Sequence, residues 1–278
     1  MIKSIAEKRQ LIDQNIIVEN RPGGAGKIAL SHLDRNEGNP HYLSVITYSL
    51  LSNHILGKLG ATYSDYATIA MLFNEYTTVS VRADSPIKDA RDLVNILKKD
   101  PSSKTIAIAT SLGNHIHVGA AKPLHAAGVD ISGLNIVPFK SSAESLTNLI
   151  GGHIEVMAAT TPNVISQLKA GNIRVIAIAS QQRLAGDLAG VPTWKESGVD
   201  SSYESAQGVM APKGIPAAAM AYWANFFETV SKDPEWEKFV ASRQWELAFQ
   251  ATDDASARLA SAYEQTKGVL GNLGLVKA

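Results

Sequence analysis

Cysteine is absent from the 278-residue chain, which excludes disulfides, thiolate nucleophiles and cysteine-held metals. An excess of charge is missing too. Lys plus Arg and Asp plus Glu are both 26, so the formal net charge is zero. A neutral chain exerts no general electrostatic pull on nucleic acid or on an anionic membrane, and neither is read as a partner. No apolar run approaches the roughly 18 residues that would span a bilayer. The opening MIKSIAEKRQ lacks the apolar core of a secretory signal. Aromatic residues are 6% of the chain, and the four tryptophans all lie at or after Trp194. What remains is an ordinary globular composition, 45% hydrophobic and 19% charged, long enough for one large domain or two of common size.

The pattern along the chain is α/β. NIIVEN (15–20), YLSVITYS (42–49), ATIAMLF (67–73) and TTVSVRA (77–83) read as strands, rich in β-branched and apolar residues. SPIKDARDLVNILKKDP (85–101) reads as a helix with Ser85 as cap and Pro86 in its first turn. Ala90, Leu93, Val94 and Leu97 form its inner stripe, and Pro101 ends it. TIAIAT, LNIVPF, IEVMAAT and IRVIAIAS then alternate with helical stretches, which predicts a largely parallel sheet with helices on both faces. Beyond YESAQGVMAPKGIP come two helices carrying Trp223, Phe226, Phe227, Trp236 and Phe239, whose spacing marks core.

Catalytic signatures fail one by one. GGAGKI lacks the glycine at position 21 and the hydroxyl residue at 28 that a phosphate loop requires, since Arg21 and Ile28 stand there. Ala29 occupies the third-glycine position of a dinucleotide fingerprint. His115 and His117, two apart, converge on neither a strand nor a helix, and with His125 nearby they make no zinc pattern. No G-x-S-x-G elbow is present, and no carboxylates pair. The reading is therefore no catalytic residue, no metal and no cofactor.

Small and hydroxyl residues instead collect at strand ends. These are Thr47, Tyr48 and Ser49; Thr110, Ser111, Gly113 and Asn114; Lys140, Ser141 and Ser142; and Thr160 and Thr161. In α/β sheets, ligands sit outside the carboxyl ends of strands, beside helix N-termini whose N–H groups accept a carboxylate. Each set alone is equally a helix cap, and Gly23 and Gly24 equally serve a tight turn. Together they favour a polar ligand site.

The ordered segments VENRPGGAG, ATSLGNHIHVGAA, VPFKSSAESLTNLIGGHIEVM, LKAGNIRVIAIAS, VPTWKESGV and GVMAPKGIP carry a resemblance. The chain resembles the substrate-binding proteins of tripartite tricarboxylate transporters, the Bug receptors, from about Ala6 to its C-terminus. The resemblance implies a type II periplasmic-binding-protein-like α/β fold, two α/β lobes with a ligand cleft between them. It implies a periplasmic monomer that binds a small organic acid through backbone amides and water, and delivers it to membrane permease subunits. The expected lobes are 1–104 with 207–278, and 105–206, with crossings near Lys104–Thr105 and Tyr203–Ala206.

On the matching motifs, the expected ligand-binding residues are Gly23, Gly24, Thr47, Tyr48, Ser49, Ser111, Gly113, Asn114, Lys140, Ser141, Thr160 and Thr161, with His117 matching the family histidine. Ala159 and Thr160 stand where many relatives carry Asp-Asn, which leans toward a plain carboxylate over an amino acid. A ligand-sensing subunit for a membrane kinase and an α/β enzyme are the competing functions. The resemblance also places Met1 inside a helix that relatives precede with a signal peptide and a first strand. An N-terminally shortened chain is therefore expected.

Overall fold

The computed structural model describes residues 1–276. In chain order its elements are α1 (Ile2–Lys8), α2 (Lys27–Asp34), β1 (Ser44–Ile46), α3 (Tyr48–Ile55), β2 (Ala67–Arg82), α4 (Ala90–Lys99) and β3 (Thr105–Ala109). There follow α5 (His115–Ala126), β4 (Asn135–Phe139), α6 (Ser142–Ile150), β5 (Val156–Thr160), α7 (Ile165–Lys169) and β6 (Ile173–Ile178). The chain closes with β7 (Glu204–Ala211), α8 (Ala217–Ser231), α9 (Pro234–Ser242), β8 (Glu246–Ala251) and α10 (Thr252–Asn272). Two compact units result: Met1–Asn74 with Ala206–Gln265, and Glu75–Ser205 with the segment from Thr266.

In the first unit, β1 pairs antiparallel with β7, β7 lies beside β2, and β8 pairs antiparallel with β2. Ile5, Ile69, Leu72, Phe73, Val209, Trp223, Phe226, Phe227 and Trp236 pack as one buried cluster. The aromatic helices are thus core, as their spacing predicts. Phe73 stacks on Trp245 at 4.2 Å between ring centroids, and the Trp223 indole N–H donates to the Pro40 carbonyl at 2.8 Å. Each such side chain contributes roughly 1.5–3 kcal/mol by leaving water.

In the second unit, β2 runs antiparallel to both β5 and β6, while β3 lies parallel to β4 and β5. The sheet is therefore mixed, where strand–helix alternation predicts a largely parallel one. The cause is β2. ATIAMLF and TTVSVRA belong to one 16-residue strand, because Asn74 and Glu75 between them are buried, keep the strand conformation and do not turn the chain. Residues 77–82 pair in the second unit, so α4 follows them there. Residues 75–104 thereby join the second unit, whereas the sequence reading assigns them to the first lobe.

Two further expectations change. Helix α4 begins at Ala90, not near Ser85, because Asp89 accepts from the Asp92 N–H while the Asp92 carboxylate accepts from the Lys88 N–H. Ser85 caps only a turn, accepting from the Ile87 N–H. NIIVEN forms no strand: residues 15–20 make no ladder, and Ile17 and Val18 are 74% and 72% exposed. Strand propensity needs a neighbouring strand and a buried face; this segment has no neighbouring strand, and of its apolar residues only Ile16 packs on the core.

Candidate functional site

The second unit brings most of the expected residues to one edge. β5, β3 and β4 are adjacent and parallel, so their carboxyl ends, at Thr160, Ala109 and Phe139, face the same way. Ser111, Gly113 and Asn114 follow β3, Lys140 and Ser141 follow β4, and Thr160 ends β5 with Thr161 next to it. The N-termini of α5 and α6 open on that edge, which is where small anions gather in α/β folds.

Local chemistry explains the turn after β3. Gly113 has φ +81°, a conformation that costs an L-residue about 1–2 kcal/mol. The Asn114 side chain accepts from the His117 N–H at 3.0 Å and caps α5, while its amide donates to the Ala109 carbonyl and to Thr110 Oγ1. The Gly113 N–H donates to His117 Nδ1 at 3.0 Å. Nδ1 is therefore the acceptor and Nε2 carries the proton. His117 is only 2% exposed, Nε2 has no hydrogen-bond partner among the described residues, and burial lowers its pKa to about 4. Thr110, with φ +67°, is a β-branched residue in the left-handed region, a strain typical of functional turns.

Other expected residues serve the frame. Ser141 caps α6 by accepting from the Glu144 N–H, and the Glu144 carboxylate accepts from the Lys140 N–H, so this helix start satisfies its own donors. The Lys140 residue is exposed, and Thr161 is fully buried. Thr160 Oγ1 accepts from the Asn163 amide at 2.8 Å.

The remaining expected residues lie in the first unit. Gly23 to Gly26 all have positive φ, so this loop needs its glycines for conformation, and Ala25 among them is held through its carbonyl by the Asn53 amide of α3 at 3.0 Å. Thr47 starts α3 in an extended conformation, Tyr48 is buried and Ser49 half-buried. Arg21 pairs with Glu19 at 2.5 Å, bracing its own loop.

Sequence reasoning missed Glu75. It is 6% exposed, and its carboxylate lies 3.8 Å from Nε2 of His115, the first residue of α5. The available signal was an acidic residue inside a run that otherwise reads as buried strand.

Strand ends and helix starts of this kind are where α/β proteins of two units take up small molecules. The chain belongs to the tripartite tricarboxylate transporter receptor family, whose description, "Tripartite tricarboxylate transporter family receptor", matches residues 2–275. It is 24% identical to the "UPF0065 protein in gbd 5'region" of Cupriavidus necator over 97% of this chain and 81% of that one. Two other relatives, from Agrobacterium vitis and a Pseudomonas strain, are matched over 64% and 62% of their lengths. Among solved structures, an R. palustris protein with adipate aligns at TM-score 0.82 and 20% identity, covering 98% of this chain and 90% of that one. MatC from Rhodopseudomonas palustris with bound malate aligns at 0.76 and 19%, covering 99% and 92%. These likenesses bear out the two-unit α/β fold of periplasmic solute-binding proteins.

Gly113→Val tests the turn. A β-branched residue at φ +81° should lower stability by about 1–2 kcal/mol and weaken organic-acid binding more than tenfold, read by calorimetry. A lower melting temperature at unchanged affinity would leave Gly113 a structural turn only.

Proposed function

We propose that this chain is a periplasmic receptor that binds a small organic acid and delivers it to the permease subunits of a tripartite transporter. It acts as a monomer and catalyses nothing. The observation that carries this reading is the second unit's edge, where three parallel strand ends and two helix N-termini meet around Ser111, Gly113, Asn114, Lys140, Ser141, Thr160 and Thr161. Support comes from the family match and from the two solved relatives, whose ligands are adipate and malate. Main-chain donors and helix-start dipoles hold a carboxylate reversibly, which suits a carrier that must release its cargo.

A thermal-shift screen over mono-, di- and tricarboxylates tests it. At least one acid should raise the melting temperature with ligand concentration, as linkage requires. No shift across the series would sink the receptor reading.

The same reading predicts that single cations matter little. Arg21 is engaged with Glu19, and Lys140 stands at an exposed position. Arg21→Ala and Lys140→Ala should each change affinity less than about fivefold, since an exposed charge contributes about 1 kcal/mol or less. Loss of binding in either folded variant would replace the main-chain account with a side-chain clamp.

A further inference from the structure

A fourth strand end reaches the proposed binding edge. β6 runs antiparallel to β2, and β2 antiparallel to β5, so β6 is parallel to β5 and ends on the same side. The register makes the two ends flush, because Thr78 of β2 pairs with Ala159 on one side and Ile178 on the other. Ser180, Gln181 and Gln182 therefore leave β6 at the level where Thr161 leaves β5, with β2 between them. Main-chain bonds fix this exit. The Ala179 N–H donates to the Thr77 carbonyl at 2.9 Å, and its carbonyl accepts from the Tyr203 N–H at 2.8 Å. The Ile178 N–H donates to the Pro192 carbonyl at 3.0 Å, and its carbonyl accepts from the Trp194 N–H at 3.1 Å. Ser180, only 1% exposed, then donates its hydroxyl to the Gln182 carbonyl at 2.6 Å and closes the turn.

The turn carries uncommitted donors. Gln181 and Gln182 are exposed, and neither side chain makes a hydrogen bond among the described residues. The other amides at this edge are engaged: Asn114 with the Ala109 carbonyl and the His117 N–H, Asn163 with Thr160. Each glutamine brings two N–H donors against one carbonyl acceptor. Acidic groups nearby are occupied. None stands between Ala179 and Gly186 in the chain; Asp187 pairs with Lys169 at 3.1 Å, and Glu196 with Arg183 at 2.8 Å. Glu75 of β2 is buried, with its carboxylate 3.8 Å from His115 Nε2. A fixed turn with surplus donors fits an anionic acceptor.

We propose that the Ser180–Gln182 turn is the second half of the binding site, where the Gln181 and Gln182 carboxamides hold the far carboxylate of a dicarboxylate. The near carboxylate sits at the turns after β3 and β5. The ends of β5 and β6 stand two strand spacings apart, about 9.6 Å. A chain of about four to six carbons bridges that span with a hydrogen bond at each end. Neutral carboxamides hold the second charge without burying a cation, and a hydrogen bond to a charged group changes affinity by about tenfold or more. The assignment deepens the receptor reading and rests on it.

Two matched pairs test it: adipate against hexanoate, and succinate against butyrate. Each pair keeps the carbon count and replaces one carboxylate by a methyl group. Isothermal calorimetry at pH 7.5 on the full chain should give about tenfold or tighter binding of the diacid in one pair or both. The double variant Gln181→Leu with Gln182→Leu keeps side-chain size and removes the donors. In it that ratio should fall by about fivefold or more, with monoacid affinity within about twofold of wild type. Both positions are exposed, so the melting temperature should hold within about 2 °C. A smaller fall in the ratio, or equal weakening of both acids, overturns the assignment. So does a wild-type ratio near one, a measurement that needs no variant. Where the thermal-shift screen finds only another carboxylate, the double variant is titrated with that acid. A loss of fivefold or more supports the assignment, and a smaller one overturns it and leaves the receptor standing. No carboxylate bound at all overturns both.

Discussion

Gly208→Ala should lower the unfolding midpoint by about 9 °C, although it adds a single methyl group. Gly208 lies in β7 opposite Ile46 of β1, and a Cβ placed on it would overlap the Ala70 carbonyl oxygen of β2. It would also stand 2.9 Å from Met71 Cα and 2.8 Å from Met71 Sδ. The first two obstacles are backbone atoms, so no rotamer change relieves them. β7 must move off β2, loosening the centre of the first unit's sheet and the Ile69–Val209–Trp223 core against it. Overpacking of this kind costs about 3 kcal/mol, and for a chain of this size each kcal/mol shifts the midpoint by about 2–4 °C. Gly190→Ala is the control: nothing lies within 4 Å of its added Cβ, and its φ is not in the positive region. It should shift the midpoint by about 1 °C or less. Equal midpoints for the two variants would show that β7 yields without loss.

Gly208 illustrates what the sequence hides. Gly208 reads as one residue of the strand that leads to the Pro/Gly turn, and nothing local states that another strand's carbonyl passes beneath it. The α4 stripe of Ala90, Leu93, Val94 and Leu97 was legible because helical periodicity is a local property, and all four residues are buried. Its start was less so, since Ser85 and Asp89 both suit a cap, and what decides between them is that Asp89 accepts from the Asp92 N–H while Asp92 accepts from the Lys88 N–H. NIIVEN failed for the opposite reason: Ile17 and Val18 have strand propensity, but pairing is supplied from elsewhere in a fold.

The proposed binding edge was legible residue by residue and not as an economy of donors. Hydroxyl and amide residues after β3 and β4 do stand at helix starts. Yet Asn114 and Ser141 are committed to capping, and the Gly113 N–H goes to His117. Capping residues and ligand-binding residues are chemically the same types, so sequence cannot divide them. Glu75 escaped because strand reading weighs apolar neighbours, and its significance lies in His115, 40 positions away, reached only through the packing of α5 on β2.

Acid should weaken this protein through His117, by about 3 kcal/mol between pH 7 and pH 4. The imidazole is held neutral by burial, with its pKa lowered from 6.5 to about 4. The unfolded chain therefore binds a proton as pH falls through 6.5, and the folded chain binds it only near 4. Between those values the unfolded state holds more protons, so stability rises with pH across this window and falls as acid is added. The contribution is complete above about pH 6.5 and gone below about pH 4, and 2.5 pK units correspond to about 3 kcal/mol. Protonation also has a local consequence. Nδ1 accepts the Gly113 N–H, and an imidazolium would present a donor to that donor, releasing the turn that follows β3 on the proposed binding edge. Ligand affinity should therefore decline in the same acid range as stability. The comparison is His117→Asn, whose side-chain oxygen can take the place of Nδ1 as acceptor without titrating. Urea unfolding of both proteins from pH 7 to pH 4 should show wild type losing about 3 kcal/mol more than the variant. Parallel curves would mean that His117 is protonated in the folded state at no cost, and that the Gly113–His117 bond does not hold the turn.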